Sequence, residues 1–311
     1  MNSPSLNPSL PGPATPPARR AGLAASAAGV PLLFILLWSS GYAAGRFALP
    51  HTGPFTLLSL RFGIAALVLL LLSLASGAPW PRGARAWGHL AVTGLLMQVL
   101  HFAGIYYGLR QGLTAGVAGL LIGLMPLATA LGAHLWLAER LGRRQLLGLA
   151  GGLLGVALVV SGRPLQGAGG WPAYAAALLG LAGLVLGTLY QKRFCAGMDL
   201  RSGSCVQMAV STLAVAALAG PTEGFALQWR AELLLAVLWL SLVNSIGAFS
   251  LMFLMIRRGQ ASQVARLFFL VPGMSALLGF VLLGERLAPL ALAGFAMAAL
   301  AVFAGAVAQR R

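Results

Sequence analysis

Acidic side chains are nearly absent from this chain, in which only five of 311 residues are Asp or Glu. So few carboxylates, spread along the chain, do not supply the clustered His, Asp and Glu of a hydrolytic or transfer centre. The two cysteines form neither a disulfide framework nor a metal-ligand motif. A Gly-rich phosphate loop ending in Gly-Lys-Ser or Gly-Lys-Thr is also missing. The sequence therefore predicts a protein that is not an enzyme, holds no metal and needs no cofactor.

Charge of either sign is scarce: 8% of the residues are charged, 59% are hydrophobic, and the mean hydropathy is +0.87. Soluble domains carry roughly 25% charged residues. Apolar stretches of about 20 residues recur along the chain, each long enough to cross a bilayer core of about 30 Å. The pattern predicts an all-α polytopic membrane protein in a lipid bilayer, with ten transmembrane helices. The predicted spans are 30–49, 54–75, 87–109, 114–137, 142–161, 172–192, 202–220, 229–256, 260–283 and 287–308.

The net charge of +16 does not indicate a nucleic-acid partner, because the basic residues are scattered through short loops rather than massed on one face. Their distribution does orient the chain. Fourteen basic residues fall on the side of the N-terminus and five on the other. Because cytoplasmic loops are enriched in Lys and Arg, both termini are predicted to be cytoplasmic. The five on the outer side are Arg46, Arg110, Arg163, Arg230 and Arg286.

The first 28 residues stand apart from the spans. Six prolines fall within residues 1–17, together with Ser, Asn and Gly. Such composition is typical of disordered segments. Residues 1–28 are therefore predicted to be a disordered cytoplasmic tail.

A phrase occurs twice in the chain. Pro126 and Pro272 are each followed thirteen residues later by a glutamate, Glu139 and Glu285, which begins a Glu-Arg-Leu triplet, so the copies lie 146 positions apart. The match indicates a duplicated five-helix unit, 29–162 and 163–311. Because five is odd, the second unit enters the membrane inverted. Inverted repeats are a structural route to alternating access, so the pattern favours a transporter.

The repeated motif supplies candidate moving parts. Pro126 and Pro272 are predicted to lie in mid-span, where proline removes a backbone hydrogen bond and kinks a helix, so they are hinge candidates. Glu139 and Glu285 follow their spans. They either fix the loop and the next helix start or act as a gate.

Two arginines are predicted inside apolar spans, where a charge is costly and usually faces a wet cavity or the bundle interior. Arg266, near Gln263, is the candidate for a cation that binds the substrate carboxylate. Arg61 either reaches the membrane surface, bonds to carbonyls or pairs with Glu285. At the 146-residue offset, Gln207 corresponds to Arg61 and Leu120 to Arg266, so the two units differ here.

Other polar side chains inside spans are cavity candidates or inter-helix ties. His101 titrates near neutral pH and is a candidate for proton coupling, with Gln98 one helical turn away. The remaining candidates are Trp38, Asn244 and Tyr106. Glycine pairs such as Gly148 and Gly152 let helices approach closely, either within the bundle or at the face of a homodimer.

Several segments resemble the drug/metabolite transporter superfamily and, within it, the EamA-type exporters. They are LWSSGY at 37–42 with Arg46-Phe47, LRF at 60–62, LMPL at 124–127 through Glu139-Arg140-Leu141 to Gly148, and Val271-Pro272 through Gly284-Glu285-Arg286-Leu287. The resemblance covers about 30–308. It implies ten helices around a central cavity and export of amino acids and related small metabolites across the bacterial inner membrane.

The sequence thus predicts a secondary exporter of small polar metabolites, foremost amino acids or other carboxylate-bearing solutes. Two alternatives remain open. One is a broad efflux protein for drugs or organic cations, which should carry a buried carboxylate in a span. The other is a facilitative carrier of a different metabolite, such as a nucleobase or vitamin.

Overall fold

The computed structural model describes residues 17–137, 143–161, 170–257, 267–268 and 270–285, with 289, 292–294, 296–297 and 300. Side chains are described for most of these from residue 29 onward. Within those ranges the chain is helical, apart from one antiparallel bridge between Thr52 and Leu227. The all-helical prediction is therefore confirmed.

Nine helices can be followed through the described ranges. They are α1 (Pro17–Ala48), α2 (Pro54–Ala75), α3 (Ala84–Arg110), α4 (Ala115–Gly123 and Met125–Leu137), α5 (Arg143–Ser161), α6 (Gly170–Phe194), α7 (Leu200–Glu223), α8 (Ala231–Leu238, Trp239–Ala248 and Phe249–Arg257) and α9 (Val271–Leu283).

Seven stretches are long and apolar enough to cross a membrane, so the chain is a multi-pass membrane protein. They are Gly29–Ala48, Pro54–Ala75, Ala84–Arg110, Ala115–Gly132, Gly170–Phe194, Leu200–Glu223 and Ala231–Met252. Most of the predicted span 287–308 lies outside the described residues.

The first helix is longer than predicted. It begins at Pro17, so residues 17–28 belong to α1 rather than to the tail. The reason is local: a proline at the first helical position followed by an alanine-rich stretch is a strong helix start.

Helices α2 and α7 run antiparallel. Near one end, the hydroxyl and backbone N–H of Thr56 donate to Glu223. Farther along, the thiol of Cys205 lies 3.5 Å from the carbonyl oxygen of Ala66. At the other end of α7, the carboxylate of Asp199 accepts hydrogen bonds from the first backbone N–H groups, and its bond to the Arg201 side chain lowers the pKa of Asp199.

Three further antiparallel pairs lie in the described bundle. Helix α1 packs on α8, α3 on α6, and α4 on α9. In the last pair, Gly119 lies against Ser275 and Gly123 against Pro272, which lets the two helices approach closely. The antiparallel direction of α1 and α8 follows from the contacts of Ser40 with Trp239 and of Leu37 with Asn244. That of α3 and α6 follows from the contacts of His101 with Gly180 and of Gly104 with Ala176.

Two helices contain a π-helical segment, Leu95–Leu100 in α3 and Trp239–Ala248 in α8. Moved by the 146-residue offset, positions 95–100 fall on 241–246, inside the second segment. Such segments occur frequently at functional sites, because the extra residue per turn redirects side chains and frees backbone groups.

The two prolines of the repeated motif stand at helix starts rather than in a helix interior. Helix α4 is interrupted at Leu124, so Pro126 is the second residue of Met125–Leu137. Pro272 is the second residue of α9. In the first turn a proline lacks only an N–H that has no partner within the helix, so the break falls just before each proline.

One end of the bundle is closed by contacts between helix termini. We call it the Arg46 end. There Arg46 donates to the carbonyl of Leu109 over 2.9 Å, and Arg110 donates to the carbonyl of Leu49. Backbone N–H of Gln228 donates to the carbonyl of His51 over 2.9 Å. The ends of α1, α3 and α7 therefore meet the start of α2 on one side, as alternating spans require.

Candidate functional site

Arg61 is the largest fully buried side chain in the described part of the chain, at 1% exposure. It lies two turns into α2. Its Nε donates to Oγ of Ser245 over 2.8 Å, and its Nη1 donates to the hydroxyl of Tyr106 over 2.9 Å. Its Cζ lies 3.9 Å from the ring centroid of Phe102. The guanidinium is thus held by α3 and α8 together, through two hydrogen bonds and a cation–π contact.

A small cavity adjoins the guanidinium. Its volume is about 10 Å³, which is room for about one water molecule. Half of its lining residues are aromatic. The lining residues are Trp38, Gly41, Tyr42, Arg61, Phe102, Asn244, Ala248 and Phe249.

Hydrogen bonds fix several of these walls. Trp38 Nε1 donates to the hydroxyl of Tyr42 over 3.1 Å, and the Tyr106 hydroxyl donates to the carbonyl of Gly41 over 3.2 Å. The amide nitrogen of Asn244 donates to the carbonyl of Leu37. Since Tyr106 belongs to α3 and Gly41 to α1, their bond fastens these two helices beside the cavity.

No carboxylate among the described residues pairs with Arg61. Asp199 pairs with Arg201 over 3.0 Å, and Glu223 bonds to the start of α2. The charge of Arg61 is therefore met by hydroxyls and an aromatic ring, not by an acid. A guanidinium has five N–H donors, and the two hydrogen bonds described above use two of these donors.

The predicted pairing of Arg61 with Glu285 is wrong. Glu285 follows Gly284, whose φ of +63° ends α9 and turns the chain toward the start of α4. There the carboxylate accepts a hydrogen bond from the Ala115 backbone N–H over 3.0 Å, and it lies 3.9 Å from Nε of Arg46. Glu285 is thus part of the closed Arg46 end, on a different surface from the cavity.

The second half of the chain has no copy of this constellation. At the 146-residue offset, Arg61 corresponds to Gln207, Phe102 to Ala248 and Tyr106 to Met252. Gln207 is also buried, but its amide donates to Gln191 over 2.9 Å. The cation and the rings that hold it therefore lie on one side of the bundle only.

His101 and Gln98, on α3, are both buried. Nδ1 of His101 lies 3.0 Å from the carbonyl oxygen of Gly180, so this nitrogen carries the proton, and Nε2 has no partner among the described residues. The ring lies against Phe102 and Trp38. Neither amide atom of Gln98 has a partner in the described ranges, but Gln98 does not line the Arg61 cavity.

Three predicted site residues lie outside the described residues. They are Arg266, Gln263 and Glu139. The structure therefore brings together Trp38, Tyr106, Asn244 and Arg61 from the predicted set.

Sequence reasoning missed Glu223, the last residue of α7. Its Oε1 accepts from the Phe55 backbone N–H over 3.0 Å, and its Oε2 accepts from the Thr56 N–H and hydroxyl, each over 2.7 Å. Backbone N–H groups at a helix start lack partners within the helix, so the carboxylate caps α2 from another helix. The available signal was rarity, since Glu223 is one of five acids.

The aromatic wall was also missed in part. Phe102, Tyr42 and Phe249 were not singled out, although Trp38/Tyr42 and Phe102/Tyr106 each follow the i, i+4 spacing that places two side chains on one helix face.

A multi-pass helical bundle with a buried cation beside an internal cavity, and no acid among the described residues to pair with that cation, fits a membrane transporter. Comparison with known proteins places it within that class. The chain belongs to the EamA-like transporter family, whose model matches residues 26–161 and 171–304.

Three relatives illustrate the family. The chain is 26% identical over 264 residues to "Uncharacterized transporter YvbV" of Bacillus subtilis, covering 84% of this chain and 85% of that one. It is 29% identical to the "Probable terminal-alkyne amino-acid exporter" of Streptantibioticus cattleyicolor, covering 86% and 88%. It is 26% identical to the "Probable amino-acid metabolite efflux pump" of Salmonella typhimurium, covering 85% and 89%. The family and these names indicate that the chain is a transporter and not an enzyme.

Proposed function

We propose that this protein is a secondary exporter of small carboxylate-bearing metabolites, foremost amino acids, in a bacterial inner membrane. The observation that carries the proposal is the fully buried Arg61 beside a cavity, with no acid among the described residues to neutralise it. The names of the Streptantibioticus and Salmonella relatives, which refer to amino acids, support the same substrate class.

The electrostatic argument concerns the missing anion. A buried cation inside a membrane is costly unless an opposite charge or hydrogen bonds compensate it. Ser245 and Tyr106 supply neutral acceptors only. A substrate carboxylate can accept two parallel N–H bonds from a guanidinium and supply the negative charge. Arg61 therefore takes the role that the sequence assigned to Arg266.

The proposed mechanism is alternating access between two inverted repeats, 29–162 and 163–311. The helix pairs support it. With five helices in each repeat, α1 to α4 of the first repeat correspond to α6 to α9 of the second. Under this correspondence the pair α1–α8 becomes the pair α6–α3, and the partners within α2–α7 and within α4–α9 exchange places. The corresponding helices α2 and α7 run antiparallel, as inversion requires. The π-helical segments of α3 and α8 also fall at corresponding positions.

In this mechanism the Arg46 end is the closed outer gate. The positive-inside orientation assigns Arg46 and Arg110 to the outer side. Glu285 and Glu223 each bridge a helix of one repeat to a helix start of the other. Opening to the outside requires these carboxylate–amide bonds to break, while the helix breaks before Pro126 and Pro272 supply the flexible joints.

The test is efflux from proteoliposomes loaded with labelled solutes: a panel of amino acids, an organic cation and a nucleobase. The proposal expects efflux of one or more amino acids and none of the organic cation, which Arg61 would repel. Efflux of the organic cation without any amino acid would overturn it in favour of a drug efflux protein. Efflux of the nucleobase alone would favour a different metabolite carrier.

A further inference from the structure

Asn244 and Arg61 line the same cavity. Arg61 can only donate hydrogen bonds, whereas Oδ1 of Asn244 can accept one. Asn244 lies in the π-helical segment of α8 and is 4% exposed. Its amide nitrogen donates to the carbonyl of Leu37, which fixes which way the amide points. Its Oδ1 accepts no hydrogen bond from any described residue.

An unpaired carbonyl oxygen in a protein interior is unfavourable, since it has lost its bonds to water. Other acceptors near the cavity are already engaged: the hydroxyl of Tyr42 accepts from Trp38, and the carbonyl of Gly41 accepts from Tyr106. Asn244 Oδ1 is thus the acceptor left for a donor that comes from outside the described protein atoms.

We propose that Asn244 binds the ammonium group of an α-amino acid whose carboxylate is held by Arg61. The inference rests on the proposed function and narrows it from carboxylates in general to zwitterions. In an α-amino acid the two charged groups are separated by a single carbon. A donor-rich guanidinium and an unpaired carbonyl oxygen on one small cavity offer one contact to each of these two groups.

Comparison of the two halves of the chain indicates that this role is particular to Asn244. The corresponding residue at the 146-residue offset is Gln98, also an amide, also buried and also in a π-helical segment. Gln98 does not line the Arg61 cavity. Equivalent amides in the two halves therefore stand in different places relative to the cation, and only one of them lines the cavity with it.

The cavity of about 10 Å³ is too small for an amino acid, so binding requires its walls to separate. Asn244 and Ser245 are neighbours in the π-helical segment, and Ser245 holds Nε of Arg61. A shift of this segment would move Oδ1 of Asn244 and would also break the bond between Ser245 and Arg61, which releases the Nε–H donor of Arg61. Both changes favour binding of the zwitterion.

The experiment measures affinity, by ligand-induced thermal stabilisation of purified protein in detergent. The probes are alanine, leucine and phenylalanine, each with its 2-hydroxy acid and its primary amide. Wild type is compared with Asn244→Leu and with the smaller Asn244→Ala. Ser73→Ala is the control, because this buried hydroxyl bonds only within α2, to the carbonyl of Leu69.

Wild type and Ser73→Ala should prefer the amino acid to the 2-hydroxy acid by about 10-fold or more, the effect of one charged hydrogen bond. Asn244→Leu should lose that preference yet still prefer the amino acid to its amide. Asn244→Ala should lose the preference as well, because it also removes the acceptor. If Asn244→Leu does not fold, the Ala variant still decides: an undiminished preference for the amino acid over the 2-hydroxy acid in it contradicts the proposal.

Retention of the full amine preference in Asn244→Leu would overturn the role of Asn244 while leaving Arg61 as the carboxylate site. A wild type that binds the amino acid and its amide equally would instead overturn the proposed function, and with it this inference.

Discussion

Nε of Arg61 donates a hydrogen bond of 2.8 Å to Oγ of Ser245, two residues that are 184 positions apart in the chain. The bond joins α2 of the first half to α8 of the second. Together with the Tyr106 hydroxyl, it holds a cation in the bundle interior without an acid among the described residues. The proposed site therefore depends on both halves of the chain.

Ser245→Ala should destabilise the protein. The change leaves Nε of Arg61 unpaired in a buried position, and an unpaired buried donor costs about 1–3 kcal/mol. We expect a lower thermal midpoint in detergent without ligand. Ser211→Ala is the matched control, because that buried hydroxyl bonds only within α7, to the carbonyl of Gln207. Equal stability of the two variants would show that Ser245 does not hold Arg61.

Glu223→Ala should destabilise the start of α2. The carboxylate accepts from the Phe55 and Thr56 N–H groups, and loss of a cap costs about 0.5–2 kcal/mol. Hydrogen exchange of the first turn of α2 should become faster. Glu232→Ala is the control, since Glu232 is exposed in the first turn of α8. Unchanged exchange in the Glu223 variant would contradict the capping role.

Gly104→Ala should weaken the packing of α3 on α6. A Cβ at Gly104 would overlap the carbonyl oxygen of Ala176, which is backbone and cannot rotate away. Such overpacking costs about 1–3 kcal/mol. Gly88→Ala, on the same helix, meets nothing within 4 Å and serves as the control. A thermal midpoint of Gly104→Ala equal to that of Gly88→Ala would refute the close approach.

The Arg46 end should have to open during transport. We expect a short thiol cross-linker between cysteines at positions 46 and 285 to abolish efflux in proteoliposomes, because Arg46 Nε and Glu285 Oε1 lie 3.9 Å apart when this end is closed. Each variant with only one of the two added cysteines, treated with the same reagent, should retain efflux. Undiminished efflux in the cross-linked double variant would exclude this end as a gate.

The sequence predicted the bounds of several described helices well, because apolar length is a local property. The predicted span 54–75 coincides with α2, and 142–161 differs from α5 by one residue at its start. The break in α4 near Pro126 was also predictable, because the effect of a proline on its helix is local, although the break precedes the proline. Helix α1 was the exception, because its first turns follow from alanine content rather than hydropathy.

The site was harder to predict. A buried arginine was evident, but its partners depend on how distant helices meet: Ser245 lies 184 positions and Tyr106 45 positions away in the chain. No pattern in one sequence fixes such contacts. The pairing of Arg61 with Glu285 failed for this reason, since the two residues belong to different helix contacts.

The most direct test of the account compares the affinity of wild type and Arg61→Gln for a transported amino acid and for its primary amide. The ratio of the two affinities within one variant does not depend on how well that variant folds. Wild type should prefer the amino acid by roughly 10- to 150-fold, as a charged hydrogen-bonded pair provides, and Arg61→Gln should lose this preference. An undiminished preference in Arg61→Gln would contradict the assignment of Arg61 as the group that binds the substrate carboxylate.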